Sequence, residues 1–140
     1  MTIEDLLGYF FYDREVLDRS LTRPVDKRIL CDQQVPGLIG NAVLSAVLLD
    51  LLYRDGIDDA ARLARTRDSI MKREILAAVA EQLSIWSFIR ERPDEIEPAG
   101  EIKSAILADT LLAIIGGVFI DGGYEAAEQR IKRWFSEYLP

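Results

Sequence analysis

Apolar residues recur along this chain at helical intervals, and no run alternates apolar with polar positions between turn residues as a half-buried strand would. The expected architecture is all-α. Thr2 with Asp5 has the form of a capping box opening a short helix that Gly8 ends, and Asp13 can cap a second helix reaching about Thr22, before Pro24. Residues 24–34 are polar and irregular. From about 35 to 53 the chain is apolar nearly all round after Asn41, the pattern of a helix enclosed by others, and Asp55 and Gly56 close it. Over 59–88, Met71, Ile75, Val79 and Leu83 recur at steps of four, with Ile70 and Leu76 widening the stripe. This predicts one amphipathic helix with a break near Ser84. Residues 92–100 are acidic, hold two prolines and read as a loop. A further apolar helix is expected over 101–119. Asp121, Gly122 and Gly123 then lead into a last amphipathic helix with Ala127, Ile131, Trp134, Phe135 and Tyr138 on one side. At that spacing Trp134 and Phe135 suit a core, or else an interface.

At 140 residues the chain has the size expected of a single domain, residues 1–140. Its longest uncharged stretches, 33–49 and 110–120, fall short of the roughly 20 apolar residues of a membrane span, so no membrane partner is expected. The first ten residues are acidic where a secretory signal would be basic, which predicts a cytoplasmic setting. Cys31 is the only cysteine and there is no histidine, so the usual zinc constellations are closed to it. Hydrolysis would have to rest on carboxylates and an oxygen-loving ion such as Mg²⁺.

A net charge of −7 excludes binding nucleic acid through overall charge, but leaves room for a local basic patch. The densest candidate is Arg62, Arg65, Arg67, Lys72 and Arg73, interrupted by Asp68. Such a row suits the phosphates and 2′-hydroxyls by which double-stranded RNA is read. It equally describes a solvated helix face with Arg73 paired to Asp68 or Glu74. Arg130, Lys132 and Arg133 near a helix C-terminus are accounted for by the helix dipole.

The segment QQVPGLIGNAVL, residues 33–44, sets Gln34, Gly37 and Asn41 at offsets of three and seven, on one helical face. It resembles, without a gap, the signature NERLEFLGDAVL of the ribonuclease III family. Three further blocks are similar to that family in the same order: GYFFYDREVLDRSLTRP at 8–24, RTRDSIMKREILAAVAEQL at 65–83 and SAILADTLLAIIGGVFIDGG at 104–123. The resemblance implies a ribonuclease III-like helical endonuclease domain that forms a twofold homodimer and cuts double-stranded RNA with magnesium held by carboxylates; the separate double-stranded RNA-binding domain that many of the family carry is not expected within residues 1–140. On this sequence the family's acidic positions fall on Gln34, Gly37, Asn41 and Leu112, and only Asp109 remains acidic. Leu38 takes the place of an aromatic residue that plugs into the partner subunit, and with Ile39 it marks the expected dimer interface.

Magnesium requires near-octahedral oxygen coordination and sheds water reluctantly, so carboxylate charge is what holds it. Two amides, a glycine, one carboxylate and an isobutyl group would neither hold it well nor lower the pKa of its water. No catalytic residue and no cofactor are therefore expected, with Asp109 and Mg²⁺ as the remnant should residual activity exist. Gln34 and Asn41 also suit hydrogen bonding near a helix start, and Asp109 suits a buried carboxylate satisfied by Asn41, Lys103 or a backbone donor. Asp32 and Asp50 lie off the face. The resulting expectation is a dimeric, non-cutting protein that binds structured or double-stranded RNA or a ribonucleoprotein. The alternatives are a weakly active metal-dependent endoribonuclease and a protein-interaction module without RNA binding.

Overall fold

The computed structural model describes residues 1–24, 31–92 and 100–140. Most of the two loops expected around 24–34 and 92–100 therefore lies outside the described residues. Six α-helices are present in the described chain: α1 Ile3–Leu7, α2 Arg14–Ser20, α3 Gln34–Arg54, α4 Ala60–Ile70, α5 Arg73–Gln82 and α6 Gly100–Trp134. Single 3₁₀ turns follow at Trp86–Phe88 and Ser136–Tyr138, and there is no strand among the described residues. The all-α expectation holds.

Local chemistry sets the early boundaries. The Thr2 hydroxyl accepts from the Asp5 amide while the Asp5 carboxylate accepts from the Thr2 amide, and Gly8 ends α1 in the left-handed region at φ 72°. Asp13 caps α2 through the Glu15 amide, and Asp59 caps α4 through that of Arg62. The long helix expected over 59–88 is instead two. Lys72 sits in extended backbone (φ −64°, ψ 146°) between α4 and α5, with no side-chain cap to announce it. The step-of-four stripe runs across that break because Met71 and Ile75 both pack against the same core. The break near Ser84 is present, with φ 56° there.

α3 and α6 cross at the centre, with their backbones in contact. A Cβ on Gly40 would lie 1.7 Å from the Leu112 carbonyl oxygen, and one on Gly116 would lie 1.9 Å from that of Pro36. Only glycine permits so close an approach. Around the crossing, Leu44, Val47 and Leu48 of α3 join Leu111, Ile114, Ile115 and Val118 of α6 in one hydrophobic cluster, all buried. Each such side chain contributes about 1.5–3 kcal/mol on leaving water. α3 and α6 have the length and apolarity to cross a membrane, and here those apolar faces supply much of the protein core. α5 covers the same core with Leu76, Val79 and Ala80. Trp134 and Phe135 are buried within it, not at an interface.

The N-terminal segment is strapped to the far end of α6. Gly123 (φ 87°, ψ −175°) kinks that helix where a boundary is expected. Beside the kink the Asp121 carboxylate accepts from the Tyr9 hydroxyl at 2.7 Å and from the Tyr12 and Asp13 amides, each at 2.9 Å. Burial raises its pKa, but these three donors together outweigh that and hold the carboxyl below its ordinary value. The Trp134 indole donates to the Leu7 carbonyl at 3.1 Å, and Arg130 donates to that of Gly8 at 3.0 Å. Arg130 therefore serves the fold, and Lys132 sits near Glu128 at 3.9 Å.

Candidate functional site

Beside the crossing, α3 and α6 open a cleft of about 360 Å³ lined by Pro24, Gln33, Gln34, Gly37, Leu38, Asn41, Asp109 and Leu112. All five positions singled out in the sequence therefore meet in one place. Their convergence follows from helix geometry: offsets of three and seven on α3 face an offset of three on α6.

The start of α3 is fixed by residues next to that face. The Asp32 carboxylate accepts from the Gln34 amide at 2.9 Å, and Pro36 sits in the first turn, where an N–H has no intrahelical partner. Gln33 is buried, and its Nε2 donates to the Ser20 carbonyl at 3.0 Å and the Thr110 hydroxyl at 3.2 Å, tying α3 to both α2 and α6. Reading along the sequence missed that tie, since its partners lie 13 and 77 residues away. The helix-start role considered for Gln34 and Asn41 belongs to Asp32 instead. Among the described residues, neither amide side chain makes a hydrogen bond.

Asp109 is exposed at the mouth of the cleft, not buried. Even so, the surrounding protein removes enough water to raise its carboxyl above the ordinary aspartate value, while the nearby Arg73 and Arg23 charges pull it back. Lys103 does not serve it, being engaged with Glu81 at 3.3 Å and lying over the Trp86 ring. Nor do the other acids substitute. Asp32 is occupied at the helix start, and Asp50 takes Arg54 at 2.9 Å and the Tyr124 hydroxyl at 3.3 Å. Among the described residues, no three Asp, Glu, His or Cys side chains come together as a metal site would need. One carboxylate, two amides, a glycine and a leucine do not fit a hard divalent cation.

The basic row is divided by the fold. Arg62 and Arg65 are exposed on α4, whereas Arg67 is half-buried, bonded to Asp68 at 3.0 Å and to the Ser45 hydroxyl of α3 at 3.2 Å. Asp68 thus pairs with Arg67 and not with Arg73. Lys72 lies at the α4–α5 break, and Arg73 opens α5 on a hollow shared with Glu74, Gly100, Glu101 and Ser104. Leu38 is 75% exposed and Val35 49%, forming an apolar patch at the start of α3, whereas Ile39 turns towards the core.

A helical domain built on two long helices that cross on glycine, with a cleft opening beside the crossing, has the frame of a helical nuclease domain. The sequence pattern of the Ribonuclease-III-like family matches residues 37–139, and the chain belongs to that family. It is 31% identical over 138 residues to Ribonuclease 3 of Ralstonia pickettii (strain 12J), covering 98% of this chain and 53% of that protein. The chain thus spans about half the length of that curated relative. Two solved structures of the nuclease domain of ribonuclease III from Campylobacter jejuni superpose closely, each at 28% identity and covering 99% of this chain. One, described for structural flexibility in the region involved in dimer formation, gives a TM-score of 0.88 over 96% of its length; the other gives 0.84 over 94%.

Proposed function

We propose that this chain is a non-catalytic ribonuclease III-like protein that works as a homodimer and binds structured or double-stranded RNA, alone or within a ribonucleoprotein. The observation behind this reading is the cleft itself: its frame is intact, and four of the five positions aligned with the family's acidic set carry no charge. Without converging carboxylates there is little to hold magnesium and nothing to activate its water. RNA contact remains available to Arg62, Arg65, Lys72 and Arg73, since duplex RNA is bound largely through phosphates. Exposed Leu38 and Val35 favour the homodimer, and the similar Campylobacter domain has a region involved in dimer formation. A weakly active, magnesium-dependent nuclease is the second reading, favoured only by Asp109 at the cleft mouth. Interaction with protein alone is the third, favoured by the charge of −7.

Incubating the purified chain with double-stranded RNA in magnesium or manganese separates them. No cleavage, with binding that weakens as salt rises, is expected. Cutting that Asp109→Ala abolishes would install the second reading, and absence of binding at low salt the third. The combined change Gln34→Glu, Gly37→Glu, Asn41→Asp and Leu112→Glu should restore converging charge, so that magnesium raises the melting temperature of the variant and not of the parent. A folded variant indifferent to magnesium would show that the site has been misplaced.

A further inference from the structure

Asp109, Gln34 and Asn41 line one cleft, and each carries a side-chain oxygen able to accept hydrogen bonds. Among the described residues, no donor is spent on any of the three. The chain's own cations are engaged elsewhere. Lys103 is held by Glu81 at 3.3 Å, and Arg23 donates to the Glu91 carbonyl at 2.9 Å. Arg73 borders a different hollow, whose lining includes Glu74 and Glu101. The cleft lining therefore contains one carboxylate and no base. Beside the three oxygens, Leu38, Leu112 and Pro24 line the same space with carbon.

We propose that the cleft binds a primary ammonium group on an aliphatic stem, supplied by a lysine side chain of a partner protein or by a free polyamine, where a metal-binding relative would gather acids around a divalent cation. The inference goes beyond the RNA-binding reading and does not depend on it. An ammonium has one positive charge, three N–H donors and no acceptor. One carboxylate and two amide oxygens match it in charge and in number of acceptors. Magnesium asks for more negative charge and a near-octahedral shell, which these residues do not supply. A guanidinium is less well matched, because its planar fork pairs best with the two oxygens of a single carboxylate. Leucine and proline suit the methylene stem, as apolar surfaces do along lysine side chains generally. Asp109 gains most from such a ligand: lost water raises its carboxyl, and an ammonium beside it would bring that value down. The cleft is open to solvent, so a small amine should bind modestly.

Titrating the isotope-labelled full chain with n-butylamine at neutral pH, where the amine is protonated, and following the side-chain amide signals by NMR tests this. Saturable shifts of the Gln34 and Asn41 signals are expected, while n-butanol, or potassium chloride at equal ionic strength, leaves them in place. Asp109→Asn keeps the shape of the cleft and removes its charge, and should weaken binding by about tenfold. Leu112→Glu adds a second carboxylate and should tighten it; thermal melts check that both variants are folded. A lysine-containing tripeptide and putrescine, titrated side by side, distinguish the two sources: the tighter binder identifies the one the cleft suits, and binding of either sustains the site. Absence of a saturable shift with butylamine overturns the proposal. So does binding that Asp109→Asn leaves unchanged, since the amine would then be held by other acids. Magnesium that displaces butylamine at equal concentration also overturns it, because the cleft would be a divalent site after all. RNA binding is measured separately, and each of these results leaves it untouched.

Discussion

The glycine crossing and the cleft beside it are built from the same two helices, and they obey different rules. Gly40 sits against the Leu112 backbone with no space for a methyl group, while Asn41, the next residue, is exposed in the cleft. Gly116 touches Pro36, and Leu112, one turn earlier, lines open space. Close packing dictates the residue at the crossing, because a misplaced atom there separates two helices that share the core. At the cleft mouth, side chains meet mostly water, and charge can be lost without disturbing the fold. The frame of the fold is therefore held by the crossing and not by the residues that line the cleft.

The sharpest way to break that comparison is to add one carbon in each region. Gly40→Ala places its Cβ 1.7 Å from a backbone oxygen and 2.8 Å from the Gly116 nitrogen, so α3 and α6 must move apart. A loss of about 4 kcal/mol or more is expected, enough to unfold much of the population under ordinary conditions. Gly37→Ala, three residues away on the same helix, meets nothing within 4 Å. It should be neutral or stabilising by about 0.5–1 kcal/mol, through helix propensity. Urea titrations followed by circular dichroism compare the two, and similar midpoints would refute the difference drawn between crossing and cleft.

A smaller effect concerns carboxylates with and without donors. Asp121 accepts three hydrogen bonds from the N-terminal segment, so Asp121→Ala should cost about 2–3 kcal/mol. Because its folded pKa is depressed, its contribution is complete above the unfolded aspartate value of about 3.9 and is lost as pH falls through the lower folded value. The gap in stability between the parent chain and Asp121→Ala should accordingly narrow in acid. A gap of constant size from neutral pH to about pH 3 would show that the charge of Asp121 is not what fastens the strap.

Much of this was legible in the sequence because it was local or because it was collinear with a family. The Thr2–Asp5 box and the Asp13 cap each lie within one turn, and both are formed as expected. The convergence of Gln34, Gly37, Asn41, Asp109 and Leu112 followed from spacing and the four matching blocks. What escaped depends on contacts between distant segments. Asp121 was visible only as part of a turn, its donors lying 108 to 112 residues earlier. Gln33 was hidden beside a more conspicuous neighbour. The α4–α5 break had no capping side chain, and an apolar stripe crossed it.

The smallest effect runs in the opposite direction. Asp109 has lost water without gaining a hydrogen-bond donor among the described residues, and its folded pKa is raised despite Arg73 and Arg23. A raised carboxyl pKa means that ionisation opposes folding. The penalty is absent below the unfolded aspartate value of about 3.9 and reaches its full size once pH exceeds the raised folded value. Asp109→Asn should therefore stabilise the protein at neutral pH and make no difference near pH 3. Exposure at the cleft mouth limits the gain to under about 1 kcal/mol. Paired thermal melts at the two pH values measure it. A neutral-pH loss on Asp109→Asn would mean that the carboxylate has a favourable partner, and the contrast with the firmly held Asp121 would fail.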